Sequence, residues 1–181
     1  QYFFLSILSG LLIALSFQKF NAFFLAWIAF IPLIYCLLRN CVRNSLIYGF
    51  LSGMVCYIVS LYWIFPFLQY NTNSNIQSLI AAGLLWVYLS SYFLLWSALL
   101  SLTRRHFHPL MSSFFAASAW VMLEFVRMYF LTGFGWNLLG YSQSSFVYLI
   151  QIADIAGVYG VSFLIIFINM LLYYWIQDSR N

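Results

Sequence analysis

Of 181 residues, 65% are hydrophobic and 6% charged, against roughly 45–50% and about 25% in an ordinary soluble domain. A water-soluble fold of this length has no interior large enough for that apolar surface, so lipid must solvate much of it. The formal charge of +4 rests on seven Lys and Arg against three Asp and Glu, and with no basic run among them nucleic-acid binding is excluded. The expected fold is therefore all-α and integral to a membrane: a single transmembrane helical domain over residues 1–181, built as a polytopic bundle of about six helices.

Crossing roughly 30 Å of hydrocarbon takes about 20 apolar residues. In chain order the predicted spans are Tyr2–Phe17, Ala22–Leu38, Ser45–Leu68, Ile76–Leu102, Pro109–Leu131 and Val158–Ile176. The chain opens at Gln1 with no basic n-region and no A-x-A-like site, so Tyr2–Phe17 reads as a first spanning helix whose start is missing, and not as a cleaved signal peptide. The second-to-third connection carries Arg39 and Arg43, the fourth-to-fifth Arg104 and Arg105, and Arg180 follows the sixth span. Intervening loops hold only Lys19 and an uncharged Tyr70–Asn75 turn. Basic loops stay cytoplasmic, which predicts both termini inside and Lys19, Asn71–Asn75 and Thr132–Gly157 outside.

The stretch between the fifth and sixth spans is too short and too polar, with Ser144, Ser145, Gln151 and Asp154, for a seventh crossing. It is expected to form an outer-face loop and a short interfacial helix. Non-helical backbone at that depth needs protein or a water-filled cavity beside it, so an outer cavity is expected here.

Few residues are available for chemistry. Glu124 and Arg127 sit three apart on one face of the fifth span; the pair reads either as a structural ion pair that fixes helix register or as a polar wall for a lipid headgroup or peptide. Gly133, Gly135 and Gly140 permit close backbone approach, and Phe134, Trp136 and Tyr141 supply amphipathic rings for the membrane boundary; by composition they suit an interface anchor as well as a site. Asp154 suits a helix brace or a functional carboxylate. Cys36, Cys41 and Cys56 make no CxxC and no His/Cys cluster, so no disulfide framework, metal site or cofactor is expected, and Cys36 and Cys56 read as small buried hydrophobes. The single Glu, the single Lys and the two His assemble no nucleophile–base pair, and no G-x-S-x-G, P-loop or HExxH is present.

Leu123-Glu124-Phe125-Val126-Arg127, running into Leu131-Thr132-Gly133-Phe134-Gly135-Trp136-Asn137-Leu138-Leu139-Gly140-Tyr141-Ser142-Gln143, resembles the membrane motif of apolipoprotein N-acyltransferases. Gln151–Leu164 resembles the segment that follows it; Leu61-Tyr62-Trp63-Ile64 and Gly10–Phe17 fit more loosely. Gly135 departs from the pattern, where proline is expected before the Trp. The resemblance implies an inner-membrane enzyme that moves an acyl chain from a phospholipid to the amino group of a lipoprotein's N-terminal diacylglyceryl-cysteine. It implies a Glu–Lys–Cys triad in a nitrilase-like domain C-terminal to residue 181, so that no catalytic residue lies on this chain. Glu124, Arg127, Gly133, Phe134, Trp136, Tyr141 and Gln143 are the positions it assigns to a substrate cavity, with a membrane phospholipid and a lipidated apolipoprotein as partners. A non-catalytic scaffold from a truncated acyltransferase and a small transporter are the competing readings; only Glu124 and Arg127 are charged within the clear spans, and no inverted repeat favours a transporter.

Overall fold

The computed structural model describes residues 1–17, 20, 22–103, 107–151 and 153–179. Lys19, Arg104, Arg105, His106 and Arg180, on which part of the charge argument rests, lie outside the described residues. The described elements are helical: α1 Tyr2–Leu15, a 3-10 turn Phe23–Trp27, α2 Ile31–Arg39, α3 Val42–Ser60, α4 Ile64–Thr72, α5 Asn75–Thr103, α6 Pro109–Tyr129, 3-10 turns Phe130–Thr132 and Leu139–Gln143, α7 Val147–Ile150 and α8 Ala153–Asp178. Four of them are long and apolar enough to cross a membrane, over Val42–Ser60, Asn75–Leu102, Pro109–Tyr129 and Ala153–Asp178, while Tyr2–Leu15 and Phe23–Arg39 are apolar but shorter.

Two predicted spans are interrupted, each just before a proline. A proline lacks the N–H that would bond four residues back, and its ring clashes with that carbonyl. Pro66 therefore cannot extend α3, which ends at Ser60; the chain turns through Leu61–Trp63 and restarts as α4. Pro32 likewise divides the second span into the Phe23–Trp27 turn and the nine-residue α2. The backbone groups freed at that second break are taken up by Asn169 from α8, which is wholly buried. Its Oδ1 accepts the Phe30 N–H at 3.0 Å and its Nδ2 donates to Ala26 O at 2.8 Å. α8 itself is broken at Gly157 (φ 63°, ψ −173°), a conformation open to glycine and few others, so its continuous part starts at Val158.

Small residues bring α1, α3 and α5 close together. A Cβ on Gly10 would lie 2.4 Å from Ser52 O, and one on Gly49 would lie 1.9 Å from Ser97 Oγ. Such contacts are what van der Waals packing between membrane helices requires. At the centre, Phe30, Phe93, Trp96 and Trp120 meet mostly edge to face, with centroids 5.0–6.2 Å apart.

Contacts sort the helix ends into two sets. Tyr2 packs on Tyr35 and Tyr48, Arg39 donates to Gln177 at 2.6 Å, and Tyr174 donates to Ser112. The chain start, the end of α2, the starts of α3 and α6 and the end of α8 therefore share one end, which carries Arg39 and Arg43. Phe17, Ser60, the Phe130–Phe146 loop and the start of α8 gather at the other.

Candidate functional site

At that second end the backbone after α6 is held in an unusual shape. Three residues within seven have positive φ: Leu131 (49°), Gly133 (81°) and Asn137 (61°). Gly133 tolerates this without a Cβ penalty, and a Cβ there would also meet Met128 O at 2.2 Å. Leucine in the left-handed region persists only where its surroundings over-determine it. The loop that follows Leu131 is held by Glu124 and Arg127.

Both charged side chains are almost wholly buried, at 4% and 2% exposure. They do not form the direct ion pair expected from their spacing: among the described residues no salt bridge is formed. Each reaches into the loop or a neighbouring helix instead. Glu124 Oε1 accepts the Leu139 N–H at 2.7 Å. Arg127 donates from Nη1 to the Tyr57 hydroxyl on α3, and more weakly from Nη2 to Trp136 O (3.4 Å) and Asn137 O (3.3 Å); its own carbonyl accepts the Phe134 N–H at 3.0 Å. An i, i+3 spacing puts two side chains on one face, but it does not say whether a better partner lies across that face. Here the loop backbone supplies the better partners.

The loop in turn roofs an open cavity of about 900 Å³, lined by Phe17, Ser60, Trp63, Trp136, Asn137, Tyr141, Ser144 and Ser145. That volume is in the range of small-molecule sites. Its lining mixes indole and phenyl surface with hydroxyls and a carboxamide. Trp136, 59% exposed, packs on Trp63 at 5.3 Å and on Phe134 at 5.8 Å. Asn137 is fixed by its Nδ2 donating to Ser60 Oγ at 2.7 Å.

The sequence-derived residues thus divide. Trp136 and Tyr141 line the cavity. Glu124, Arg127, Gly133 and Phe134 stand behind it and shape the loop. Gln143 turns away: fully buried, it accepts from Trp27 Nε1 at 3.1 Å and donates to Phe23 O at 3.0 Å, tying the loop to the break before α2. Asp154 is exposed. Cys36 and Cys56 are buried and Cys41 is exposed. Sequence reading missed Phe17, Ser60, Trp63, Asn137, Ser144 and Ser145 as lining residues. Asn137 carried a usable signal, since Asn is among the few residues that visit positive φ readily; Ser60 carried none, because only the Pro66 break brings it to a rim.

Comparison with known proteins places the chain in a family. The profile of the apolipoprotein N-acyltransferase N-terminal domain matches residues 9–171. The chain is 40% identical over 173 residues to an apolipoprotein N-acyltransferase of Geobacter metallireducens, covering 93% of this chain and 32% of that protein. It is 29% identical over 171 residues to apolipoprotein N-acyltransferase 1 of Treponema denticola (91% and 29%), and 27% identical over 178 residues to the enzyme so named in Coxiella burnetii (97% and 36%). The chain spans about a third of the length of these relatives. With a matched profile over almost its whole length, the chain belongs to the apolipoprotein N-acyltransferase N-terminal domain family.

Proposed function

We propose that this chain is the membrane half of an enzyme that transfers an acyl chain from a phospholipid to the N-terminal diacylglyceryl-cysteine of a bacterial lipoprotein. On this reading its 900 Å³ cavity holds the lipid part of a substrate beneath a nitrilase-like catalytic domain. The cavity carries the proposal: Trp136, Asn137 and Tyr141 of its lining come from the stretch that resembles the family's membrane motif, and the lining suits a molecule with an apolar body and a polar ester region. Trp63 and Trp136 offer flat surface, while Asn137, Ser60, Ser144 and Ser145 offer hydrogen bonds. The nucleophile is assigned to the nitrilase-like domain, because two of the three cysteines are buried in helices and the exposed Cys41 belongs to the opposite end.

The proposed setting is the bacterial inner membrane, with six crossings formed by α1, Phe23–Arg39, α3, α5, α6 and α8, and with α7 at the outer interface. Arg39 and Arg43 at one end of the bundle, with Arg104 and Arg105 following α5 and Arg180 following α8 in sequence, favour that end as cytoplasmic. The cavity then opens toward the outer leaflet. The test is acyl transfer from phospholipid by the full-length protein carrying Trp136→Ala or Asn137→Ala, each checked for folding. Transfer is expected to fall at least about tenfold, the effect of about 1.4 kcal/mol on the barrier. Wild-type transfer by both variants refutes the cavity as the substrate site.

A further inference from the structure

A second, much smaller cavity lies deeper, within the helix bundle. It measures about 10 Å³ and is lined by Tyr57, Tyr92, Trp120, Leu123, Glu124 and Arg127. Three buried polar atoms of these residues make no hydrogen bond of ordinary length, Glu124 Oε2, Arg127 Nε and Trp120 Nε1, although the Trp120 indole and the Ser162 hydroxyl both stand near the Glu124 carboxylate. The residues carrying them are 4%, 2% and 7% exposed. Leaving three such atoms unpaired at one spot is costly, most of all where they are charged. Native proteins pair the large majority of buried polar groups.

The three atoms form a complementary set. Arg127 Nε and Trp120 Nε1 carry N–H groups that can only donate, and Glu124 Oε2 accepts. A species that accepts twice and donates at least once satisfies all three. The volume matches one water, which needs roughly 10–15 Å³ and two to four polar partners. A metal cation is excluded by the two N–H donors, and an anion by the Glu124 carboxylate. Tyr92 supplies a fourth direction: Tyr88 Oη donates to Phe130 O at 3.3 Å, which leaves the 2.9 Å Tyr88–Tyr92 contact to be donated by Tyr92 and leaves Tyr92 Oη as an acceptor. The same two hydroxyls lead from the cavity toward the exposed Phe130.

We propose that this cavity is a site for one bound water, which accepts from Arg127 Nε and Trp120 Nε1 and donates to Glu124 Oε2. The two charges of α6 are thereby joined through a water and not directly, and both remain free to hold the loop above. The proposal stands apart from the reading of the large cavity: it requires no acyl transfer, and its test measures none.

The test is water contact at the indole protons of the chain in detergent micelles, with ¹⁵N-tryptophan resolving its seven Trp. Trp96 is the internal control, since it is also buried but its indole donates to Ala116 O at 2.9 Å. A cross-peak from a long-lived water is expected at Trp120 and none at Trp96. Trp120→Phe assigns the signal, with Trp120→Tyr as the alternative should that variant fail to fold. A Trp120 indole as silent as that of Trp96 overturns the proposal. A structure at water-resolving resolution gives the second reading: one density peak within about 3.2 Å of all three atoms supports it, and a carboxylate bonded directly to either N–H without such a peak overturns it.

Discussion

Replacing Arg127 with methionine keeps much of the side-chain length and removes the charge, and its effect can be worked from the contacts. Tyr57 Oη loses a charge-assisted donor, and the Trp136 and Asn137 carbonyls lose weaker ones. Glu124, 4% exposed, loses the only positive side chain near it among the described residues while keeping the Leu139 N–H. Removing one partner of a buried charged set costs about 3–5 kcal/mol, and neither residue is exposed enough for solvent to reduce it. Glu124→Gln is milder, because its carbonyl oxygen can still accept from Leu139 N–H; about 1–2 kcal/mol is expected for the lost charge-assisted part of that bond. The double variant Glu124→Gln/Arg127→Met is expected to lose less than the sum, with a coupling of about 0.5–3 kcal/mol, as for residues sharing one network. Reversible unfolding in mixed detergent micelles measures all three. An Arg127→Met variant within about 0.5 kcal/mol of wild type, the range of inert surface changes, would show that the guanidinium does not hold the loop.

Further outcomes are expected elsewhere. Asn169→Leu strips partners from Phe30 N–H and Ala26 O in a fully buried setting and should cost about 2–4 kcal/mol, read by the same unfolding assay. Gly133→Ala combines a positive φ with a 2.2 Å approach to Met128 O, whereas Gly157→Ala meets open space at φ 63°; strain alone costs about 1–3 kcal/mol, so Gly133→Ala is expected to be the worse, and equal stability refutes the steric part. In intact spheroplasts Asn73→Cys, in a cysteine-free background, should react with an impermeant thiol reagent. The native Cys41, exposed at the opposite end, should react only after permeabilisation. The reverse pattern overturns the proposed orientation.

Much of the helical layout was legible in the sequence because apolar run length is a strong signal. The starts at Tyr2 and Pro109 and the break before Val158 coincide with the structure. Run length is blind to interruptions by residues that are themselves apolar, and Pro66 and Pro32 each hide inside such a run; their missing N–H was the available clue. At the site, Trp136 and Tyr141 were legible from motif and ring chemistry. The roles of Glu124, Arg127 and Gln143 were not, since each bonds to backbone groups whose position depends on the folded loop, and Gln143 reaches residues 116 and 120 positions away.

The Asn169 plug has a consequence for how the protein is made. Phe30 and Asn169 are 139 residues apart, and chains emerge N-terminus first. The interrupted Phe23–Arg39 segment is therefore synthesised long before the side chain that satisfies its free amide and carbonyl. Broken backbone is not tolerated against lipid, so this segment must wait at the headgroup layer or beside the insertion machinery until α8 is delivered. A nascent chain cut between α6 and α8 should leave the segment accessible to protease, while a chain extended past Asn169 should protect it. On the proposed six-span topology, insertion of the second apolar segment is thus decided by the arrival of α8.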